Sequence, residues 1–151
     1  MNLKTLVGSG DRIMLLTLPI LIVGLALNIL YPSLFNVGGP SIVLQMIAII
    51  MLIVGITIWL WSVVLILTKV PKQELITSGP YALVKHPLYT GVGLLVLPSI
   101  GLLLDTWLGT LVGVVLYVVA RIFAPEEEKA LSKIFGVAWD DYCKKVKIAW
   151  L

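Results

Sequence analysis

Four stretches of this chain, residues 13–30, 41–68, 88–104 and 106–123, are almost free of charge and rich in leucine, isoleucine and valine. Each is near or above the ~20 apolar residues that a helix needs to cross a bilayer. Backbone amides and carbonyls in lipid must be satisfied within the segment, so runs of this kind are predicted as helices. The whole chain is 60% hydrophobic and 13% charged, whereas in soluble domains roughly a quarter of residues are charged. The expected fold is all-α: a polytopic membrane bundle of about four transmembrane helices plus a cytoplasmic C-terminal helical segment, in a single domain over residues 1–151. The second run is longer than a bilayer core and must tilt or protrude. The third carries Gly91, Gly93, Pro98 and Gly101, which predicts a kinked helix or one packed on protein. Only Asp105 separates it from the fourth, so the pair reads as a tight hairpin.

The positions of lysine and arginine orient the bundle. Lys4 and Arg12 precede the first run, Lys69, Lys72 and Lys85 lie between the second and third, and the rest, from Arg121 to Lys147, close or follow the fourth. The connections "YPSLFNVGGP" and Asp105 carry none. The positive-inside rule therefore predicts a multi-pass protein of the cell membrane with both termini in the cytoplasm. No small-residue cleavage site follows the first run, so that helix is expected to be retained. The net charge of +3 needs no nucleic acid partner. The single cysteine, Cys143, excludes an internal disulfide and any cysteine-based zinc cage.

The segment "SGPYALVKHPLYTGVG", residues 78–93, holds the only histidine. A residue before proline is pushed out of the helical region, and proline is favoured as the first residue of a new helix. His86 is therefore expected at the cap of the third membrane helix, with Pro87 opening it. The amides of Leu88, Tyr89 and Thr90 would lie free just beyond, at a helix end suited to a carboxylate or phosphate. The same residues also fit a plain interfacial aromatic belt.

The tail "RIFAPEEEKALSKIFGVAWDDYCKKV", residues 121–146, reads as a helix started by Pro125 and its acids and stopped by Gly136. At 100° per residue Leu131, Ile134 and Phe135 share one face and Lys129 and Lys133 the other. Glu127 falls in the middle of the apolar face, Glu126 among the lysines and Glu128 at the edge. An acid on such a face is costly without a partner, so Glu127 needs a cation. Arg121 reads either as a snorkelling interfacial arginine or as a fork for a carboxylate or phosphate.

Taken together, "LITSGPYALVKHPLYTGVGLL" and, about 30 residues later, "EEKALSKIFGVAWDDY" resemble the signature region of the isoprenylcysteine carboxyl methyltransferase and phospholipid methyltransferase superfamily of integral membrane enzymes. The matching positions are Gly79, Pro80, Tyr81, Lys85, His86, Pro87, Tyr89, Glu127, Glu128, Leu131, Phe135, Gly136, Trp139 and Tyr142. Lys85 stands where arginine is common and Trp139 where tyrosine is usual.

The resemblance implies S-adenosylmethionine, with no metal, bound at the cytoplasmic face between the His-Pro region, the hairpin and the tail. Tyr81, Lys85, His86, Pro87, Leu88, Tyr89, Glu127 and Glu128 are the candidate cofactor-binding residues. A carboxylate of the cofactor suits the helix start at Pro87, its ammonium suits Glu127 or Glu128, and aromatic faces such as Tyr81 or Tyr89 suit its sulfonium. Arg121 and Glu127 are the candidate catalytic residues. The acceptor is expected to be lipidic and to come from the bilayer, with the carboxylate of a prenylated cysteine preferred and a phospholipid amine as the alternative. A carboxylate requires only an orienting cation such as Arg121, whereas an amine must lose a proton to His86 or a glutamate. Two other readings stand beside these. "GTLVG", Gly109 to Gly113, suits helix association in a small membrane interaction protein as well as an internal hairpin. A membrane reductase on a related scaffold ranks last, since no Gly-rich dinucleotide fingerprint follows a strand.

Overall fold

The computed structural model describes residues 10–148, which are helical apart from turns, connections and two isolated bridges; Lys4 and both termini lie outside the described residues. Helix α1 spans Gly10–Leu30 and is followed by one short turn of helix, α2, Pro32–Phe35. Helix α3, Ile42–Lys69, is capped by Ser41, whose hydroxyl accepts from the Leu44 amide, and runs on into a 3₁₀ turn, Val70–Lys72. Helix α4 covers Pro87–Leu103, α5 Leu108–Phe135 and α6 Val137–Lys145. Three helices, α1, α3 with its 3₁₀ extension, and α5, are long and apolar enough to cross a membrane. Helix α4 is shorter, about 25 Å at 1.5 Å per residue, and is the fourth apolar helix of the bundle.

Helix α4 is irregular where its glycines and proline predicted irregularity. Pro98 has no amide to give the Leu94 carbonyl, and one turn earlier the backbone widens into a π segment, Val92–Val96, in which the Leu97 amide bonds the Val92 carbonyl. Such a widened turn absorbs a lost bond without ending the helix. The hydroxyl of Ser99, fully buried, bonds the Leu95 carbonyl.

Packing runs as a row, α1 on α5, α5 on α4, α4 on α3. Lipid tails are as apolar as leucine, so close van der Waals contact holds the row together. Glycines allow it. A Cβ on Gly93 would fall 2.9 Å from the Gly113 carbonyl oxygen, and one on Gly101 2.9 Å from the Gly109 backbone. The Gly109 to Gly113 motif thus packs the α4–α5 hairpin. Gly55 of α3 meets Leu95 and Val96 of α4 in the same way.

The two ends of the bundle differ. At one end the Trp107 amide bonds the Phe35 carbonyl, the two rings stack at 4.9 Å, and Thr106 bonds Asn28. Among the described residues this end has no lysine or arginine. At the other end Arg12 of α1 pairs with Glu126 of α5 at 2.9 Å, and the lysines of the 69–87 connection and of α6 gather there. We refer to it as the basic end.

One expectation is corrected here. Pro125 does not start a tail helix: it sits inside α5, which continues from the membrane run to Phe135. The proline removes a single bond, that to the Arg121 carbonyl four residues back. The break comes at Gly136, whose φ of 52° and ψ of −125° suit glycine alone, and α6 turns back from it.

Candidate functional site

The connection from α3 to α4 is folded by turn chemistry. Gln73 adopts a left-handed conformation, φ 57°, that closes the 3₁₀ turn and carries the chain into Glu74 and Leu75. Gly79, at φ 63°, packs on Trp61 so closely that a Cβ would lie 2.9 Å from the indole. A 3₁₀ turn, Gly79–Ala82, then presents Tyr81. His86 caps α4 with φ −124° and ψ 60°, and Pro87, fully buried, is its first residue. The His86 carbonyl accepts from both the amide and the hydroxyl of Thr90. Of the three amides expected to be free, that of Thr90 is therefore already used.

Helix α6 closes over this connection. Trp139, Tyr142 and Val146 are buried against Leu75, Leu131 and Phe135. The Tyr142 hydroxyl donates to the Tyr81 carbonyl at 2.8 Å, and the Ile148 amide bonds the Leu83 carbonyl at 2.9 Å. Tyr142→Phe deletes the first bond and is expected to cost about 1 kcal/mol. Thermal unfolding in detergent reads it, and a midpoint equal to wild type would show that the bond contributes nothing net.

Between these parts lies a cavity of about 280 Å³, close to the lower end of the ~300–1,000 Å³ typical of small-molecule sites. Tyr81, Lys85, His86, Leu88 and Tyr89 line one side; Glu127, Ala130, Leu131, Ile134 and Phe135 of α5 line another; Trp139 and Tyr142 of α6 close it. Gly10 of α1, Ile66 and Val70 at the end of α3, and Glu74 with Leu75 and Ile76 complete the wall. The wall is mostly apolar, with a few convergent polar groups.

Those groups form a chain of close polar contacts. His86 Nδ1 lies 3.5 Å from Glu127 Oε2, and His86 Nε2 lies 3.5 Å from Glu128 Oε1. Lys85 Nζ donates to Glu128 Oε2 at 2.9 Å. The imidazole is 12% exposed, and its buried Nε2 has no polar contact among the described residues closer than the 3.5 Å one to Glu128. Burial pushes the Tyr81 and Tyr142 phenols well above their ordinary range, so both stay neutral.

Of the residues singled out from sequence, Tyr81, Lys85, His86, Leu88, Tyr89 and Glu127 share this one cavity. Glu128 and Pro87 do not line it: Glu128 faces Lys85 and His86, and Pro87 is packed beneath. Arg121 does not line it either. Because α5 is continuous, Arg121 stands about 120° around the helix from Glu127, on the flank of Glu128 and roughly two turns deeper. The helical projection places Leu131, Ile134 and Phe135 with Glu127 on the cavity face, as expected. Glu126 is outside, 69% exposed and paired with Arg12. Glu126→Ala should change stability by about 0.5 kcal/mol or less and leave ligand affinity unaltered; a tenfold loss of affinity would place it in the site after all.

Sequence reasoning missed Glu74, Leu75 and Ile76 as wall residues, and treated Trp139 and Tyr142 only as motif positions. The apolar pair Leu75 and Ile76 inside a polar connection was the available signal.

The phospholipid methyltransferase family model matches residues 33–138, from α2 to the start of α6. The chain belongs to the phospholipid methyltransferase family. No curated protein and no solved structure matches it. Membership in this family makes the chain a membrane methyltransferase, and methyltransferases of the family generally use S-adenosylmethionine. The matched region contains α3, α4 and α5 entire, with Tyr81, Lys85, His86, Pro87, Leu88, Tyr89, Arg121, Glu127 and Glu128; Gly10, Trp139 and Tyr142 lie outside it.

Proposed function

We propose that this member of the family binds S-adenosylmethionine in the cavity at the basic end and transfers its methyl group to the head of a membrane lipid. The observation that carries the reading is that His86 and Glu127, 41 positions apart in the sequence, meet on the wall of one cavity. The residues present fit the cofactor. Glu127 offers a carboxylate for its positive charges, Tyr81, Tyr89 and Trp139 offer aromatic faces for a sulfonium or a base, and the His86 imidazole on the cavity wall offers a hydrogen bond. When bound, S-adenosylmethionine supplies an electrophilic methyl carbon. The chain's own part is to hold nucleophile and methyl group in line and to keep water out, a positioning effect of about 7–11 kcal/mol at its best.

The acceptor follows from which charges reach the cavity. A carboxylate acceptor, as in a prenylated cysteine, needs an orienting cation. Arg121 is not among the residues that line the cavity, and Lys85 is engaged by Glu128. An amine acceptor needs a group to take its proton, and His86 lines the cavity beside Glu127. We therefore favour a phospholipid amine; the prenylated carboxylate is the second reading and would use Lys85. Gly10 of α1 and Ile66 of α3, at the ends of two apolar helices long enough to cross a membrane, line the cavity, so in this reading a lipid acceptor would come to it from the bilayer. In this reading the basic end and both termini are cytoplasmic and the bundle sits in the cell membrane.

The test is methyl transfer from labelled S-adenosylmethionine to vesicles that hold the purified protein. Label in ethanolamine-headed lipid supports the first reading and label in a prenylated cysteine the second. Absence of label in both, together with no binding of the donor in several detergents, would favour a non-enzymatic membrane protein.

A further inference from the structure

The two adjacent glutamates of α5 face different things. Glu127 lines the cavity, whereas Glu128, 100° further round the helix, does not. Its carboxylate is spent on protein: Oε2 accepts from Lys85 Nζ at 2.9 Å, and Oε1 lies 3.5 Å from His86 Nε2. Among the described residues Lys85 is the only lysine on the cavity wall. The side chains of this pair are 13% and 26% exposed, so solvent screens it little and a charge left uncompensated there acts strongly on a neighbour.

We infer that Glu128 is a specificity-determining positioning residue: by pairing with Lys85 it keeps an ammonium from facing the ligand, so that the cavity prefers a cationic sulfonium over the neutral thioether left after methyl transfer. The inference rests on the proposed cofactor. With Lys85 neutralised by Glu128 and Glu74 paired with Lys69, Glu127 sets the sign of the potential on the cavity wall. A freed Lys85 would repel the positive donor and leave the thioether almost unaffected. The pairing thereby favours turnover, because spent cofactor is held more weakly than fresh donor.

Calorimetric titration of S-adenosylmethionine and S-adenosylhomocysteine into the purified protein tests this without any acceptor. Glu128→Gln is expected to lower the ratio of the two affinities by about tenfold, and Glu128→Gln with Lys85→Met to restore it. Lys85→Met alone leaves a carboxylate unopposed and should raise the ratio, a readout that stands even if the first variant does not fold. A residue with a merely structural role would weaken both ligands equally. An unchanged ratio in Glu128→Gln, a lowered ratio that the double variant does not restore, or a ratio that Lys85→Met fails to raise would each overturn the inference. Failure of wild type to bind either compound would instead remove the proposed function on which it rests.

Discussion

Glu127→Gln should reduce the affinity for S-adenosylmethionine by roughly 10- to 100-fold while leaving the bundle folded. A hydrogen bond to a charged group contributes about 1.5–3 kcal/mol, and each 1.4 kcal/mol is a factor of ten in binding. Glutamine keeps the shape and one acceptor but deletes the charge. The carboxylate is 14% exposed and faces His86 across 3.5 Å, so a cationic ligand meets it with little screening by water. The fold does not depend on it, because α5 is held by Gly109 and Gly113 far along the helix and by the aromatic cluster of α6. Calorimetry in detergent reads the affinity and thermal unfolding the stability. Wild-type affinity in Glu127→Gln would show that the acid is not a ligand to the cofactor.

Gly113→Leu has the opposite profile. A side chain there would drive a Cβ into the Gly93 carbonyl oxygen and the Pro98 ring. Neither can step aside, since one is backbone and the other a ring locked to it. Overpacking of a tight contact costs about 1–3 kcal/mol and occasionally more, and here the whole α4–α5 hairpin must separate to admit the side chain. We expect a loss of about 3 kcal/mol or more, seen as a collapse of the thermal midpoint in detergent, with ligand affinity lost only because the fold is. Leu111→Ala, two residues away and 39% exposed, serves as the contrast and should have a much smaller effect. A Gly113→Leu protein as stable as wild type would mean that α4 and α5 do not pack as closely as described.

These two residues also show what was legible in the sequence. The membrane helices were, because a bilayer leaves a long apolar run no cheaper conformation than a helix. The start of α4 at Pro87 and the stop at Gly136 were, because proline and glycine act through local backbone geometry. Glu127 was legible because only one helical turn of context is needed to see an acid on an apolar face. The continuity of α5 was not. Proline followed by three acids is the ordinary signature of a helix start, and only tertiary contact distinguishes that from a proline tolerated within a long membrane helix. The position of Arg121 was hidden for the same reason: with a break assumed at Pro125, no phase relation between Arg121 and Glu127 could be drawn, and the 120° that separates them could not be seen. Glu74, Leu75 and Ile76 were missed for a different reason. They reach the cavity through a left-handed Gln73 and by packing against α6, neither of which has a period in sequence.

The division of labour between Glu127 and Glu128 depends on the same continuity. Their positions 100° apart turn one acid toward a ligand and the other toward Lys85. That difference exists only because α4 begins beside the last turns of α5, with the His86 imidazole between the two carboxylates.

Direct photolabelling with radioactive S-adenosylmethionine, followed by peptide mapping, tests most plainly whether the cavity at the basic end is the cofactor site. The label is expected in the segments 81–89 and 127–142, to be competed away by unlabelled donor, and to fall sharply in Glu127→Gln. Label confined to other segments, or label that unlabelled donor does not displace, would contradict it.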